Sequence, residues 1–178
     1  MRILLIGGGK SGKSTMAQRL AAALSGDAPR YYWATMTPHD DEDLARIRRH
    51  VADRAGMDFI TVERSFDLPA ALPALDRHGT VVFDSTACLS EQMFPGPAPD
   101  AGAANRVLRE LLDISRYLDH FIAVCDDIWH GGEDYRDWTE VYVRGLADIC
   151  QGLAAEFDVV CEMTAGLPRL WKGELPRV

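Results

Sequence analysis

The sequence predicts an α/β fold, a mainly parallel sheet flanked by helices. Short apolar runs alternate along the chain with longer amphipathic stretches, the order expected when strands and helices take turns. The apolar runs are rich in β-branched and aromatic residues and lack clean polar alternation, which is how strands buried on both faces read. The first run also passes directly into a glycine-rich turn that opens a helical pattern.

Taken in order, the first strand covers residues 2–6 and the first helix 13–24, just after the glycine-rich turn. A second strand, 30–35, carries Tyr31, Tyr32 and Trp33. The helix at 40–54 opens on Asp40, Asp41, Glu42 and Asp43, which complement a helix N-terminus, and gathers arginines towards its end. That acidic run reads as a helix start and a solvated face rather than a metal site. Strands at 59–63 and 80–84 follow. The helix at 103–118 sets Val107, Leu108, Leu111, Leu112, Ser115 and Leu118 on one side. A strand at 120–125 leads to a helix at 138–156 striped by Trp138, Tyr142, Leu146, Ile149 and Leu153, then to a last strand at 158–163. The stretches 94–102, rich in Pro, Gly and Ala, and 126–137, acidic and glycine-containing, read as surface loops. Internal repeats are absent. At roughly 150 residues per domain, residues 1–178 are expected to form one domain.

Composition narrows the function. Nineteen Lys and Arg against 27 Asp and Glu give a net charge of -8, which argues against a general nucleic-acid binder or a partner of anionic membranes. A small phosphorylated ligand remains compatible, because one pocket can be positive on an acidic protein. No apolar run approaches the about 20 residues that span a bilayer. The apolar stretch after Met1 is shorter than a signal-peptide core and lacks a small-residue cleavage site, so a cytoplasmic location is expected. Cys88, Cys125, Cys150 and Cys161 lie far apart with no CxxC pair, which reads as reduced thiols rather than a zinc site or disulfide framework. Met36, Met57 and Met93 read as core filler.

The strongest motif is Gly7-Gly8-Gly9-Lys10-Ser11-Gly12-Lys13-Ser14, which fits G-x-x-x-x-G-K-[ST] and sits between an apolar strand and a helix. Its backbone N–H groups can cradle phosphate oxygens, helped by the helix N-terminus. Lys13 is expected to reach the β- and γ-phosphates and Ser14 to hold Mg²⁺. Asp84 ends a strand at the carboxyl edge of the expected sheet, where ligands bind in open α/β folds, and is the expected acidic partner of the metal. The fold is thus expected to be P-loop NTPase-like. No NKxD element reads a guanine base, so a small-molecule kinase is favoured over a signalling GTPase.

Histidine can attack phosphorus and carry a nucleotide as a phosphoramidate. His50 follows Arg46 and Arg49 and precedes Arg54, arginines that can neutralise phosphates. The order and spacing of the 7–14 loop, Ala34-Thr35, the acidic stretch to Leu44, Arg46-Ile47-x-x-His50, Arg54, Thr61-x-Glu63 and Asp84 resemble the bifunctional adenosylcobinamide kinase/adenosylcobinamide-phosphate guanylyltransferases of cobalamin biosynthesis. The resemblance implies that His50 becomes guanylylated. It implies nucleotide binding by the 7–14 loop, by Ala34, Thr35 and Met36, by Val51, Ala52, Asp53 and Arg54, and by Glu63 and Asp84. It also implies GTP and ATP as substrates with Mg²⁺, adenosylcobinamide and its phosphate as acceptors, and a homotrimer.

The second half departs from the family pattern. Glu91-Gln92 stands where the family often has Thr-Asn, and Asp126-Asp127-Ile128-Trp129 where it has Asn-Glu-Val-Gly. Val143-Arg144 and Cys150 replace an Arg-Asp pair and an asparagine, and Ala55 replaces a proline, with about one residue inserted before Glu63. Two alternatives stay open: a divergent kinase of the same fold without guanylyl transfer, and a non-catalytic nucleotide-binding module. Trp129, His130, Tyr135 and Trp138 cluster around Gly131-Gly132 and can either pack their loop onto the domain or cover a large flat ligand.

Overall fold

The computed structural model describes residues 1–95, 98–129 and 135–178. All six expected strands form. They are β1 (Arg2–Gly7), β2 (Arg30–Ala34), β3 (Phe59–Glu63), β4 (Thr80–Asp84), β5 (His120–Asp126) and β6 (Val159–Thr164). The four expected helices form within a residue or two of their anticipated ends, as α1 (Lys13–Ser25), α2 (Asp41–Asp53), α4 (Ala103–Tyr117) and α5 (Asp137–Glu156). Between β4 and α4 lies a short α3 (Leu89–Met93), and between β3 and β4 a 3₁₀ segment, Leu68–Ala74.

Among the described residues the sheet has seven strands in the order β3-β2-β4-β5-β1-β6-β7, where β7 is Leu167–Lys172. Every neighbouring pair is parallel except β6 and β7. The missing polar alternation has a direct cause. Successive residues of one strand enter two different cores, because a strand side chain repeats every second position. Leu4, Trp33, Phe83 and Phe121 face the layer formed by α4 and α5, with Leu111, Leu146 and Ile149 opposite them. Ile3, Leu5, Tyr32, Val82 and Ile122 face the other way, onto Ala17, Leu20 and Ala21 of α1. On the first side an aromatic ladder runs from Trp33 through Phe83 and Phe121 to Phe157, with centroid spacings of 5.3, 6.0 and 6.1 Å.

The helix α2 buries none of its residues, as its acidic opening suggested. The Asp40 side chain caps it, accepting from the Asp43 amide at 2.8 Å. Strand β7 was not anticipated. It is exposed along its whole length, so no burial pattern marks it, and Pro168 is tolerated because the strand is at the sheet edge. Ala165 and Gly166, with φ of 52° and 80°, form the two-residue turn that joins it to β6.

Of the three methionines expected in the core, only Met93 is there; Met36 and Met57 are half-buried and belong to neither core cluster, being tied to the margins of β2 and α2. All four cysteines are free and buried. Among the described residues no helix is long and apolar enough to cross a membrane.

Phe121 is fully buried between Phe83 and Phe157. A Phe121→Ala variant is expected to lose about 3–5 kcal/mol of stability, measured as a lowered urea midpoint with little change in slope.

Candidate functional site

The glycine-rich loop is shaped by contacts that only glycine permits at two places. A Cβ on Gly7 would lie 2.5 Å from the Met163 carbonyl oxygen and 2.8 Å from Ser11 Oγ. Gly12, with φ of 97°, adopts a left-handed backbone just before α1. The β6–β7 turn braces the loop from behind, since the Gly166 amide donates to the Ser11 carbonyl at 3.0 Å. The unanticipated hairpin therefore supports the motif that was read most clearly. The first intrahelical bond of α1 runs from the Met16 amide to the Gly12 carbonyl, so the amides of Lys13, Ser14 and Thr15 precede the helix ladder. No acidic side chain sits in that first turn to consume them.

Lys13 is 6% exposed. Its ammonium donates to the carbonyls of Gly7 at 2.8 Å and Gly8 at 2.7 Å, and pairs with Asp126 Oδ1 at 2.9 Å. An ammonium has three N–H donors, and all three are engaged. Asp126 ends β5 and lies in register with Gly7, the last residue of β1.

Asp84 ends β4, in register with Ala34 of β2, which in turn pairs with Glu63 of β3. The Tyr32 hydroxyl donates to Asp84 Oδ2 at 2.5 Å. Burial and the Asp84 carboxylate push the Tyr32 phenol well above its ordinary value, so it stays a donor. Thr35 fixes the turn after Asp84: its amide donates to the Asp84 carbonyl at 3.1 Å and its hydroxyl to the Ser85 carbonyl at 2.8 Å. Ser85 Oγ donates to Asp126 Oδ2 at 3.3 Å. Lys13, Asp126, Ser85 and Asp84 thus form one connected polar edge across β1, β5 and β4.

Arg54 caps the end of α2 and is buried. Its guanidinium lies 4.2 Å from the centre of the Tyr32 ring and donates to Thr61 Oγ1 at 3.2 Å. Tyr32 therefore links Arg54 to Asp84. His50 precedes Arg54 by four residues, about one helical turn, is half-buried, and makes no hydrogen bond or ion pair among the described residues. Val51, Ala52, Asp53 and Glu63 are exposed, and Met36 is half-buried. Of the arginines flanking His50, only Arg54 is built into the fold: Arg46 reaches the Met36 sulfur at 3.9 Å, and Arg49 is exposed.

The oxygen donors at this edge suit Mg²⁺. Ser14 is half-buried, and Asp84 has Oδ2 engaged by Tyr32, while its other carboxylate oxygen has no hydrogen-bond partner among the described residues. Among the described residues no cluster of three or more His, Cys, Asp or Glu is arranged to hold a metal. Mg²⁺ takes one or two protein oxygens and completes its shell with phosphates and water.

Trp129 packs against the core, whereas Trp138 pairs edge-to-face with exposed Phe94 at 6.2 Å. His130, Gly131 and Gly132, and parts of both long loops, lie outside the described residues.

A strand, a glycine-rich loop and a helix at the carboxyl edge of a mostly parallel sheet define a P-loop-like α/β fold. A solved structure of an ATPase domain shares that fold over 90% of this chain and 68% of its own, with a TM-score of 0.53 at 11% identity. No curated protein matches the sequence. The chain belongs to the cobinamide kinase / cobinamide phosphate guanyltransferase family, CobU, whose profile matches residues 3–170. That family is enzymatic, uses nucleotide substrates and acts in cobalamin biosynthesis.

The residue that sequence reasoning missed is Asp126. It stands at the start of an acidic loop, next to Asp127, and the β1–β5 register is what brings it to Lys13. The signal available was its place immediately after a buried strand, the position that had drawn attention to Asp84. A Gly7→Ala variant is expected to keep the fold at a cost of about 1–3 kcal/mol, because the added methyl meets backbone. It is also expected to lose nucleotide binding, as read by calorimetric titration with GTP.

Proposed function

We propose that this protein phosphorylates adenosylcobinamide with a nucleoside triphosphate and then transfers GMP from GTP to adenosylcobinamide phosphate through a guanylyl-histidine at His50. The observation that carries the reading, beside family membership, is the Arg54–Tyr32–Asp84 chain, which ties the helix bearing His50 to the edge bearing the phosphate loop. Residues 1–178 act as one nucleotide-binding unit in this reading, in the cytoplasm and as a homotrimer.

In the kinase step the 7–14 loop amides and Lys13 hold the phosphates. Ser14 and Asp84 would hold Mg²⁺, which would supply neutralisation of phosphate charge. The acceptor hydroxyl oxygen bonds to the γ-phosphorus as the bond to the β-phosphate oxygen breaks, its proton passes to solvent, and the loop donors stabilise the charge that develops on the transferred group. Tyr32 fixes the orientation of Asp84. In the transferase step an imidazole nitrogen of His50 bonds to the α-phosphorus of GTP and pyrophosphate leaves. A neutral imidazole is the attacking form. The phosphate oxygen of the acceptor then displaces the histidine and yields adenosylcobinamide-GDP. Arg54, with Val51, Ala52 and Asp53, lies beside His50 in sequence, and Ala34, Thr35, Met36 and Glu63 line the neighbouring strand ends, where the base and ribose are held in this reading.

Intact-mass measurement after incubation with Mg²⁺ and GTP tests the second step. Wild type is expected to gain one GMP and His50→Ala none. An unmodified wild type that still binds GTP contradicts the transferase half and leaves a divergent kinase. Lys13→Ala is expected to lower phosphoryl transfer to cobinamide by on the order of 10²–10³-fold, measured by nucleotide diphosphate release, since it removes a charged donor from the transferred group.

A further inference from the structure

We propose that Asp126 is the resident anion of the phosphate site: it holds the Lys13 ammonium when nucleotide is absent, gives it up to the β- and γ-phosphates, and so sets nucleotide affinity. This rests on the reading of the 7–14 loop as a phosphate site.

The full engagement of Lys13 sets the constraint. Two of its three partners, the Gly7 and Gly8 carbonyls, are backbone of the loop itself and stay with it. The third, Asp126, is the one side chain. A phosphate oxygen can bond Lys13 only by replacing one of them, and replacing the carboxylate exchanges one anion for another. Exposure points the same way: the Lys13 side chain is 6% exposed and Asp126 33%, so the carboxylate can turn towards solvent while the ammonium cannot.

The backbone beside Asp126 is fixed. The Asp127 amide donates to the Gly7 carbonyl at 3.0 Å, so the exchange needs only a side-chain rotation. Asp126 keeps a second partner when it leaves Lys13, because Ser85 Oγ donates to its other oxygen at 3.3 Å. Among the described residues, no second cation is paired with this carboxylate. Tyr142 of α5 faces the same carboxylate, and its burial and that negative charge push its phenol up to about 12, so it stays neutral. With phosphates bound, the freed carboxylate lies against further negative charge. Binding therefore works against Asp126, and removing its charge strengthens binding.

The test is calorimetric titration of wild type, Asp126→Asn and Asp126→Ala with Mg²⁺-GTP and with GMP, together with melting curves of the empty proteins. The variants are expected to melt lower when empty and to bind GTP about ten-fold more tightly, the scale of a partly screened ion pair. GMP has no β- or γ-phosphate to reach Lys13, and its affinity is expected to be unchanged. Should the empty variants fail to fold, refolding with Mg²⁺-GTP is expected to recover them, and failure to recover overturns the proposal. Weaker or unchanged GTP binding in folded variants, beside normal binding by wild type, overturns it while leaving the nucleotide site intact. Absence of GTP binding by wild type removes the loop reading and the proposal together.

Discussion

A positive charge buried at the carboxyl end of a sheet has to be answered by the fold, and the ammonium of Lys13 is that charge. Left without partners, a buried ion costs several kcal/mol. Two backbone carbonyls and one carboxylate supply the answer. Each depends on larger features. The carbonyls face the lysine because the loop turns tightly at Gly7 and Gly12, and the loop keeps that turn because the β6–β7 hairpin leans on it. The carboxylate arrives because β5 lies beside β1 with Asp126 level with Gly7.

The strand order makes the same edge chemically rich. With β5 between β1 and β4, the phosphate loop, Asp126 and Asp84 stand side by side, and β2 and β3 extend the row with Ala34, Thr35 and Glu63. Helix α2, which buries none of its residues, is held to this edge by Arg54 stacked on Tyr32. A solvated helix anchored by the residue that caps it keeps its final turn near the edge, and that turn carries His50. One sheet edge in this way carries the 7–14 loop beside the helix turn that bears His50, the arrangement on which the proposed two-step function rests.

Much of this was legible in the sequence, for physical reasons. Strands such as Thr80–Asp84 sit between two cores, so their composition alone marks them, and Asp40–Asp43 advertises a helix start whether or not the helix packs. The strand–turn–helix at residues 7–14 is legible because backbone geometry requires Gly7 and Gly12. What escaped detection lacks a local signature. Strand β7 pairs with β6, reaches α5 through the Lys172 ammonium on the Ala154 and Ala155 carbonyls, and buries nothing, so no pattern of burial reaches its sequence. Asp126 gains its meaning from a lysine more than a hundred residues away, through a strand register that periodicity does not encode. The bracing of Asp84 by Tyr32 was hidden for the same reason: Tyr32 reads as one more aromatic in a buried strand.

The most direct measurement is a crystal structure with Mg²⁺ and a non-hydrolysable GTP analogue. The β- and γ-phosphate oxygens are expected within hydrogen-bond distance of Lys13 and the 7–14 amides, with the metal between Ser14 and Asp84 and the Asp126 carboxylate turned off Lys13. A nucleotide seated away from this loop, with Lys13 still paired to Asp126, would contradict the central claim that this sheet edge is the nucleotide site.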